Sequence, residues 1–132
     1  MIKLNLVTPE KKVFVDFPVK EITVPTLNGQ RNILDGHVPM ISLLGTGVLK
    51  VKNSNGDLQS FVISSGFCEI SPDGVSVLAE FVQTKEEMNL EQAKTKSATQ
   101  SKKLATDIMS DDEFNRTVEE FQKAQAEIQI LS

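Results

Sequence analysis

The sequence predicts an antiparallel all-β region, a sandwich or a barrel, over residues 1–84, followed over residues 85–132 by two helices. Three observations carry this. Short segments alternate apolar and polar residues with a period of two, the mark of half-buried strands. Turn signals separate them at spacings of about ten residues, as in all-β domains. Past Val82 the composition changes: from Lys85 onward there is neither Gly nor Pro, and Ala, Gln, Glu and Lys dominate, which favours helix.

Ile2 to Leu6 opens the pattern, with Ile2, Leu4 and Leu6 on one face and Lys3 and Asn5 on the other. Thr8-Pro9-Glu10-Lys11 breaks it. Val13 to Phe17 and Val19 to Val24 read as two strands separated by Pro18, with Ile22 and Val24 sharing a face. From Pro25 to Val51 the chain is punctuated by Pro25, Gly29, Gly36, Pro39, Gly45 and Gly47, and it reads mainly as ordered loop. The polar, turn-forming half from Leu27 to His37 is the candidate contact surface, and the half from Val38 threads back into the core. Val48 to Lys52 is a strand ending at Asn53-Ser54-Asn55-Gly56, whose Asn-Gly pair suits a tight hairpin turn, so Leu58 to Ile63 returns antiparallel. Phe67 to Ile70 follows, and after the Pro72-Asp73-Gly74 turn comes Val75 to Val82. There Val75, Val77, Ala79 and Phe81 face one way and Ser76, Leu78, Glu80 and Val82 the other.

In the tail, Asn89 with Gln92 caps a first helix, and Ser110-Asp111-Asp112-Glu113 is a capping box for a second. The chain turns between them near Asp107 to Ser110. The second helix has an apolar stripe of Phe114, Val118, Phe121 and Ile128; the first has a thinner one of Leu90, Ala93, Ser97, Ser101, Leu104 and Ile108. So few large apolar side chains cannot by themselves offset ordering the tail, so the pair should depend on docking to the β region or to another protein. Lys94, Lys96, Lys102 and Lys103 make the first helix basic, and Asp111, Asp112, Glu113, Glu119, Glu120 and Glu127 make the second acidic. Laid antiparallel, the helices attract each other; undocked, the basic helix is drawn to an acidic surface. Exposed pairs are individually worth less than about 1 kcal/mol, so the two arrangements lie close in free energy.

A chain of 132 residues has room for one compact domain and an appendage. Its net charge of −4 argues against a nucleic-acid surface. No apolar run approaches the ~20 residues of a membrane span, and Met1 to Leu6 lacks the features of a targeting peptide, so a cytoplasmic location is the default. Cys68, the only cysteine, leaves no internal disulfide, and it is read as a small strand residue. A search for catalytic constellations comes back nearly empty. His37 is the only histidine, so neither a zinc cluster nor a nearby Cys-His pair exists. Ser64-Ser65-Gly66-Phe67 lacks the form of a nucleophile elbow, and Gly45-Thr46-Gly47 lacks the Lys-Ser or Lys-Thr of a P-loop. The expectation is no enzyme in isolation, no cofactor and no metal.

Six pieces in order carry more than composition does: Val7-Thr-Pro-Glu10, Val19 to Thr26, Gly29 to His37 with Pro39, Gly47-Val-Leu-Lys-Val51, Ser64-Ser-Gly-Phe67 and Val75-Ser-Val-Leu-Ala79. Together they resemble the epsilon subunit of bacterial rotary ATP synthases, the counterpart of the mitochondrial delta subunit, over the whole chain. The resemblance implies an N-terminal antiparallel β-sandwich of about ten strands and a C-terminal antiparallel helical hairpin. It implies a non-catalytic subunit of the central stalk, peripheral on the cytoplasmic face of the bacterial inner membrane. The sandwich of that family binds the gamma subunit and the ring of c subunits, coupling proton flow to ATP synthesis. Its hairpin extends along gamma to restrain ATP hydrolysis. Carried onto this chain, Gln30, Arg31 and His37 fall at positions facing the c-ring, and Lys94, Lys96, Lys102 and Lys103 would meet the catalytic alpha and beta subunits when the hairpin is extended. A different class of reading is a freestanding sensor or adaptor built from the same sandwich and hairpin.

The chain departs from the family pattern. Asn32 stands where a second glycine is usual, and Asp35 where a proline is. Members that bind ATP carry Ile-Asp-x-x-Arg-Ala, where this chain reads Met88-Asn89-Leu90-Glu91-Gln92-Ala93, and the second-helix base positions are Lys123 and Glu127. The motif acid and arginine are gone and one base has become an acid, so no nucleotide-binding residues are expected.

Overall fold

The computed structural model describes residues 1–132. Seven strands are followed by a helical hairpin: β1 (Ile2–Val7), β2 (Lys12–Thr26), β3 (Gly29–Leu34), β4 (Met40–Leu43), β5 (Gly47–Asn53), β6 (Leu58–Ser71), β7 (Gly74–Thr84), a short 3₁₀ turn (Lys85–Glu87), α1 (Leu90–Thr106) and α2 (Asp111–Leu131). The sheet order is β1-β7-β6-β5-β2-β3, with β4 beside β6 and β1 also paired to β2.

The expected ten strands become seven because long strands do double duty. β2 runs unbroken through Pro18, which sits opposite Lys3, and its irregularity falls at Asp16 (φ 49°), whose N–H donates to the Asn5 side chain at 3.0 Å. Its first half pairs with β1 and its second half with β5 and β3. β6 likewise joins the two segments Leu58 to Ile63 and Phe67 to Ile70, pairing first with β5 and then with β4. The sheet is also not wholly antiparallel, since β1 and β7 run parallel. Topology requires this: β1, β7, β6, β5 and β2 close a circuit of five strands, and an odd circuit cannot alternate direction at every step.

Much of the segment expected to be loop is strand. Gly29–Leu34 pairs with Glu21–Thr26 as β3, and Met40–Leu43 pairs with Phe67–Ile70 as β4. Nor is the Asn55-Gly56 turn the two-residue form. Asn53 accepts the N–H groups of Asn55 and Asp57 on its side chain, and Gly56 takes φ 88° in a longer loop.

The main core is a cluster of 18 buried residues, including Ile2, Leu4 and Leu6 of β1 as their alternation requires. Inward parity switches partway along β6 and β7. Phe61 and Ile63 point inward before the switch, Cys68 and Ile70 after it; on β7, Val75, Val77 and Ala79 give way to Val82. Phe81 therefore faces the hairpin, on the opposite side to Val75, Val77 and Ala79. The switch lies where Ser65 (φ 61°) and Gly66 (φ 131°) kink β6. Only glycine fits at position 66, because a Cβ there would sit 1.9 Å from the Leu78 carbonyl oxygen.

Both helices start at their predicted caps, although of the capping box expected at Ser110 only the serine half forms. The Asn89 side chain accepts from Gln92 N–H at 3.0 Å, and the Ser110 hydroxyl accepts from Glu113 N–H at 3.2 Å. The predicted stripes are met in part: Leu90, Leu104, Val118, Phe121 and Ile128 are half-buried. α2 buries Ala124 and Ala126, outside its predicted stripe, and leaves Phe114 exposed, while α1 buries Ala93 and Ser97 of its predicted stripe and leaves Ser101 in solvent; Ile108 lies beyond the end of α1 and is exposed. Small side chains let two helices approach closely where bulky ones would hold them apart.

Candidate functional site

Three surfaces hold the residues of interest. The first is the edge of the sheet. β3 ends the strand order and pairs only with β2, and of its six residues only Ile33 is buried. Gln30 and Arg31 lie exposed opposite Pro25 and Val24, and the Arg31 guanidinium donates to Met40 Sδ at 3.6 Å. His37 lies past the other end of β3, half-buried, donating its N–H to the Leu34 carbonyl at 3.2 Å. It lines a cleft of about 320 Å³ with Ile33, Pro39 and Pro72, whereas Gln30 lines a separate one beneath α2. Gln30 and Arg31 are thus neighbours, and His37 joins them only along the length of the edge. Asp35 pairs with the Met1 amino nitrogen at 2.9 Å, and that hydrogen bond and charge hold its carboxyl below the usual range. The departure at Asp35 therefore has a partner within the fold.

The second surface went unread in the sequence. Val38, Ile41 and Leu43, expected to return to the core, are 74%, 68% and 62% exposed. Leu43 stands opposite Phe67, which stands opposite Leu78, and all three are exposed, so one row of apolar side chains crosses β4, β6 and β7 on the outer face. The signal was present in the pattern: Leu78 occupies the polar side of the β7 alternation.

The third surface is the seat of the hairpin. Val48 and Val62 are buried beneath Ala126, with Phe81, Met88 and Ile130 around them; this cluster has three buried residues against 18 in the main core. Around it the contacts are polar. Glu119 of α2 accepts from the Ser64 hydroxyl and, at 3.3 Å, from that of Ser65. Lys123 lies 4.0 Å above the Phe81 ring and 3.5 Å from Glu120, a cation–π contact on a shielded cation. Within the hairpin, Lys96 is ion-paired with Glu120 and Gln125 donates to Ser97 at 2.5 Å. The hydrogen bond from Lys96 lowers the Glu120 pKa, whereas burial raises that of Glu127. Of the four lysines singled out on α1 only Lys96 is paired; Lys94, Lys102 and Lys103 are exposed without an ion pair.

Residues 1–85 match the model of the ATP synthase delta/epsilon chain β-sandwich domain. The chain belongs to that family. It is 39% identical over 128 residues to the ATP synthase epsilon chain of Bdellovibrio bacteriovorus, covering 96% of this chain and 91% of that one. The epsilon chain of Prochloron didemni is 33% identical over 128 residues, with 96% and 93% covered. Among solved structures, a chain of the Euglena gracilis mitochondrial ATP synthase (OSCP/F1/c-ring in rotational state 1) superposes with a TM-score of 0.87 at 21% identity, covering 99% of this chain and 81% of that one. A chain of the Tetrahymena thermophila mitochondrial ATP synthase central stalk and c-ring gives 0.70 at 16% identity, covering 99% and 96%. Both carry the same fold. No helix of this chain is long and apolar enough to cross a membrane.

Proposed function

We propose that the chain is the non-catalytic epsilon subunit of a proton-transporting ATP synthase, peripheral on the cytoplasmic face of the membrane. In this reading residues 1–84 are a body that joins the gamma subunit to the c-ring, and residues 85–132 are an arm that restrains ATP hydrolysis when it swings out. The observation that supports it most is the presence of two unequal cores, 18 buried residues against three, as expected of a hairpin that can part from the sandwich. The exposed β3 edge with Gln30, Arg31 and His37 is the surface offered to the c-ring. The apolar row of Leu43, Phe67 and Leu78, with Ile41 beside it, suits gamma, because an exposed apolar patch on a stable body marks an interaction surface. In the extended arm, Lys94, Lys96, Lys102 and Lys103 face the catalytic alpha and beta subunits.

The test compares synthase complexes carrying the full chain with complexes whose chain ends at Thr84. Assembly and proton-driven synthesis should persist while ATP hydrolysis rises. Failure of the shortened chain to assemble, or hydrolysis unchanged by its loss of the tail, would overturn the division.

A further inference from the structure

We propose that the kink of β6 at Ser64, Ser65 and Gly66 is a receptor for the Glu119 carboxylate, and that this polar latch fixes the register in which the hairpin docks and adds to the stability of the docked form. The inference rests on reading the hairpin as a detachable arm.

Four observations converge on it. Ser64 is fully buried although its hydroxyl points away from the main core, toward α2. Its single proton goes to Glu119, so Thr46, 2.7 Å from the Ser64 oxygen, must be the donor in that contact, and a chain of donors ends at one carboxylate. Ser65 adds a second hydroxyl to the same Glu119 oxygen from a backbone position at φ 61°, which non-glycine residues rarely hold. Lys123 comes within 4.0 Å of that oxygen while resting on Phe81 of β7, so the carboxylate keeps a counter-charge inside the contact. The neighbouring apolar seat is small and has no directionality, since any slide of Ala126 over Val48 and Val62 retains part of it. Hydrogen bonds are directional and weaken steeply once the donor–hydrogen–acceptor angle is lost, and those to a charged acceptor are the stronger ones. The latch therefore supplies the register of docking, and the valines supply its adhesion.

The test uses the full chain with spin labels at Ser54→Cys in the β5–β6 loop and Ser101→Cys on α1, both exposed; Cys68 is buried and stays unlabelled. Dipolar distances should show a docked population in the parent. Glu119→Ala and Ser64→Ala should each raise the undocked-to-docked ratio about tenfold, the scale of a charge-assisted hydrogen bond. The double variant should do no more than Glu119→Ala alone, because that change already removes the contact Ser64 makes. Hydrogen exchange of the α2 amides reads the same ratio where the undocked form is sparse. Glu120→Ala, whose partners Lys96 and Lys123 lie within the hairpin, should not shift the distance. An unchanged ratio in both single variants, additive effects in the double, or a parent without a docked population would overturn the latch. The regulatory reading fails on a different measurement, hydrolysis by complexes with and without the tail, so the two failures are distinguishable.

Discussion

Val62 and Ile63 are neighbours on β6 and both wholly buried, yet they belong to different cores. Val62→Ala removes two methyl groups from the seat under α2. At about 0.8 kcal/mol per buried carbon that is roughly 1.6 kcal/mol, enough to multiply the undocked population about fifteenfold. Ile63→Ala empties a site in the main core, where such truncations cost about 2–5 kcal/mol of global stability. Native-state hydrogen exchange reads both terms at once. Amides of α1 and α2 should open about fifteenfold more often in Val62→Ala, and at the parent's frequency in Ile63→Ala. In a chain ending at Thr84, urea unfolding should show the Ile63 cost persisting while the Val62 cost shrinks to about 0.5 kcal/mol or less, since its side chain then faces water in both states. If Ile63→Ala loosens the hairpin as much as Val62→Ala, or if Val62→Ala costs the shortened chain as much as the full one, the two-core reasoning is refuted.

Gly66→Ala should cost at least about 3 kcal/mol in urea unfolding, because the obstacle 1.9 Å away is the Leu78 backbone and φ 131° is itself strained for alanine. The hairpin should respond to acid in two opposed steps, read by exchange of its amides. Glu127, raised above its ordinary 4.5 by burial, favours docking once protonated, a contribution lost as pH rises through the raised value. Glu120, lowered from 4.5 chiefly by the Lys96 hydrogen bond, supports the α1–α2 contact above 4.5 and loses that share as pH falls through its lowered value. Exchange should slow and then quicken on acidification, and Glu127→Gln should remove the first step. Cys68, buried and with its thiol pushed up to about 11, should react with a thiol reagent at neutral pH only on global unfolding, at a rate that deleting the tail leaves nearly unchanged.

What was legible in the sequence was local. Asn89 and Ser110 cap their helices because a cap needs only the next three residues, and Ile2, Leu4 and Leu6 face inward because alternation is a property of one strand. β3 and β4 were not legible, since glycines and polar residues between them read as loop, and the pairing that makes Gly29–Leu34 a strand comes from β2. The stripe on α2 misled for a related reason. Large side chains draw attention in a sequence, but small ones allow close approach, so Ala126 is buried on Val48 and Val62 and Ala124 is buried on another side of α2, while Phe114 is exposed. Exposure of Gln30 and Arg31 followed from polarity alone, whereas the contact of Ser64 with Glu119 joins residues 55 apart. Its trace was three small residues, Ser64, Ser65 and Gly66, interrupting an apolar strand.

In the proposed reading of the hairpin as an arm that swings out, charge alone is too weak to release it. Docking to the sandwich engages none of the four lysines of α1: Lys96 is paired with Glu120 inside the hairpin, and Lys94, Lys102 and Lys103 are already free to meet an acidic partner before anything moves. Three exposed pairs at under about 1 kcal/mol each fall short of the roughly 5.5 kcal/mol needed to carry a population from 1:99 to 99:1. The remainder has to come from apolar burial, and the hairpin tip carries what is required: Ile108 is fully exposed and Phe114 is 47% exposed while docked. Burying two such side chains against a partner contributes about 1.5–3 kcal/mol each, enough to close the gap. An extended arm built this way is weakened by salt but not abolished by it, whereas Ile108→Ser with Phe114→Ser, both outside the apolar seat of Val48, Val62 and Ala126, should abolish extension at any ionic strength. Restraint of hydrolysis that survives this double substitution would mean the lysines act without the tip.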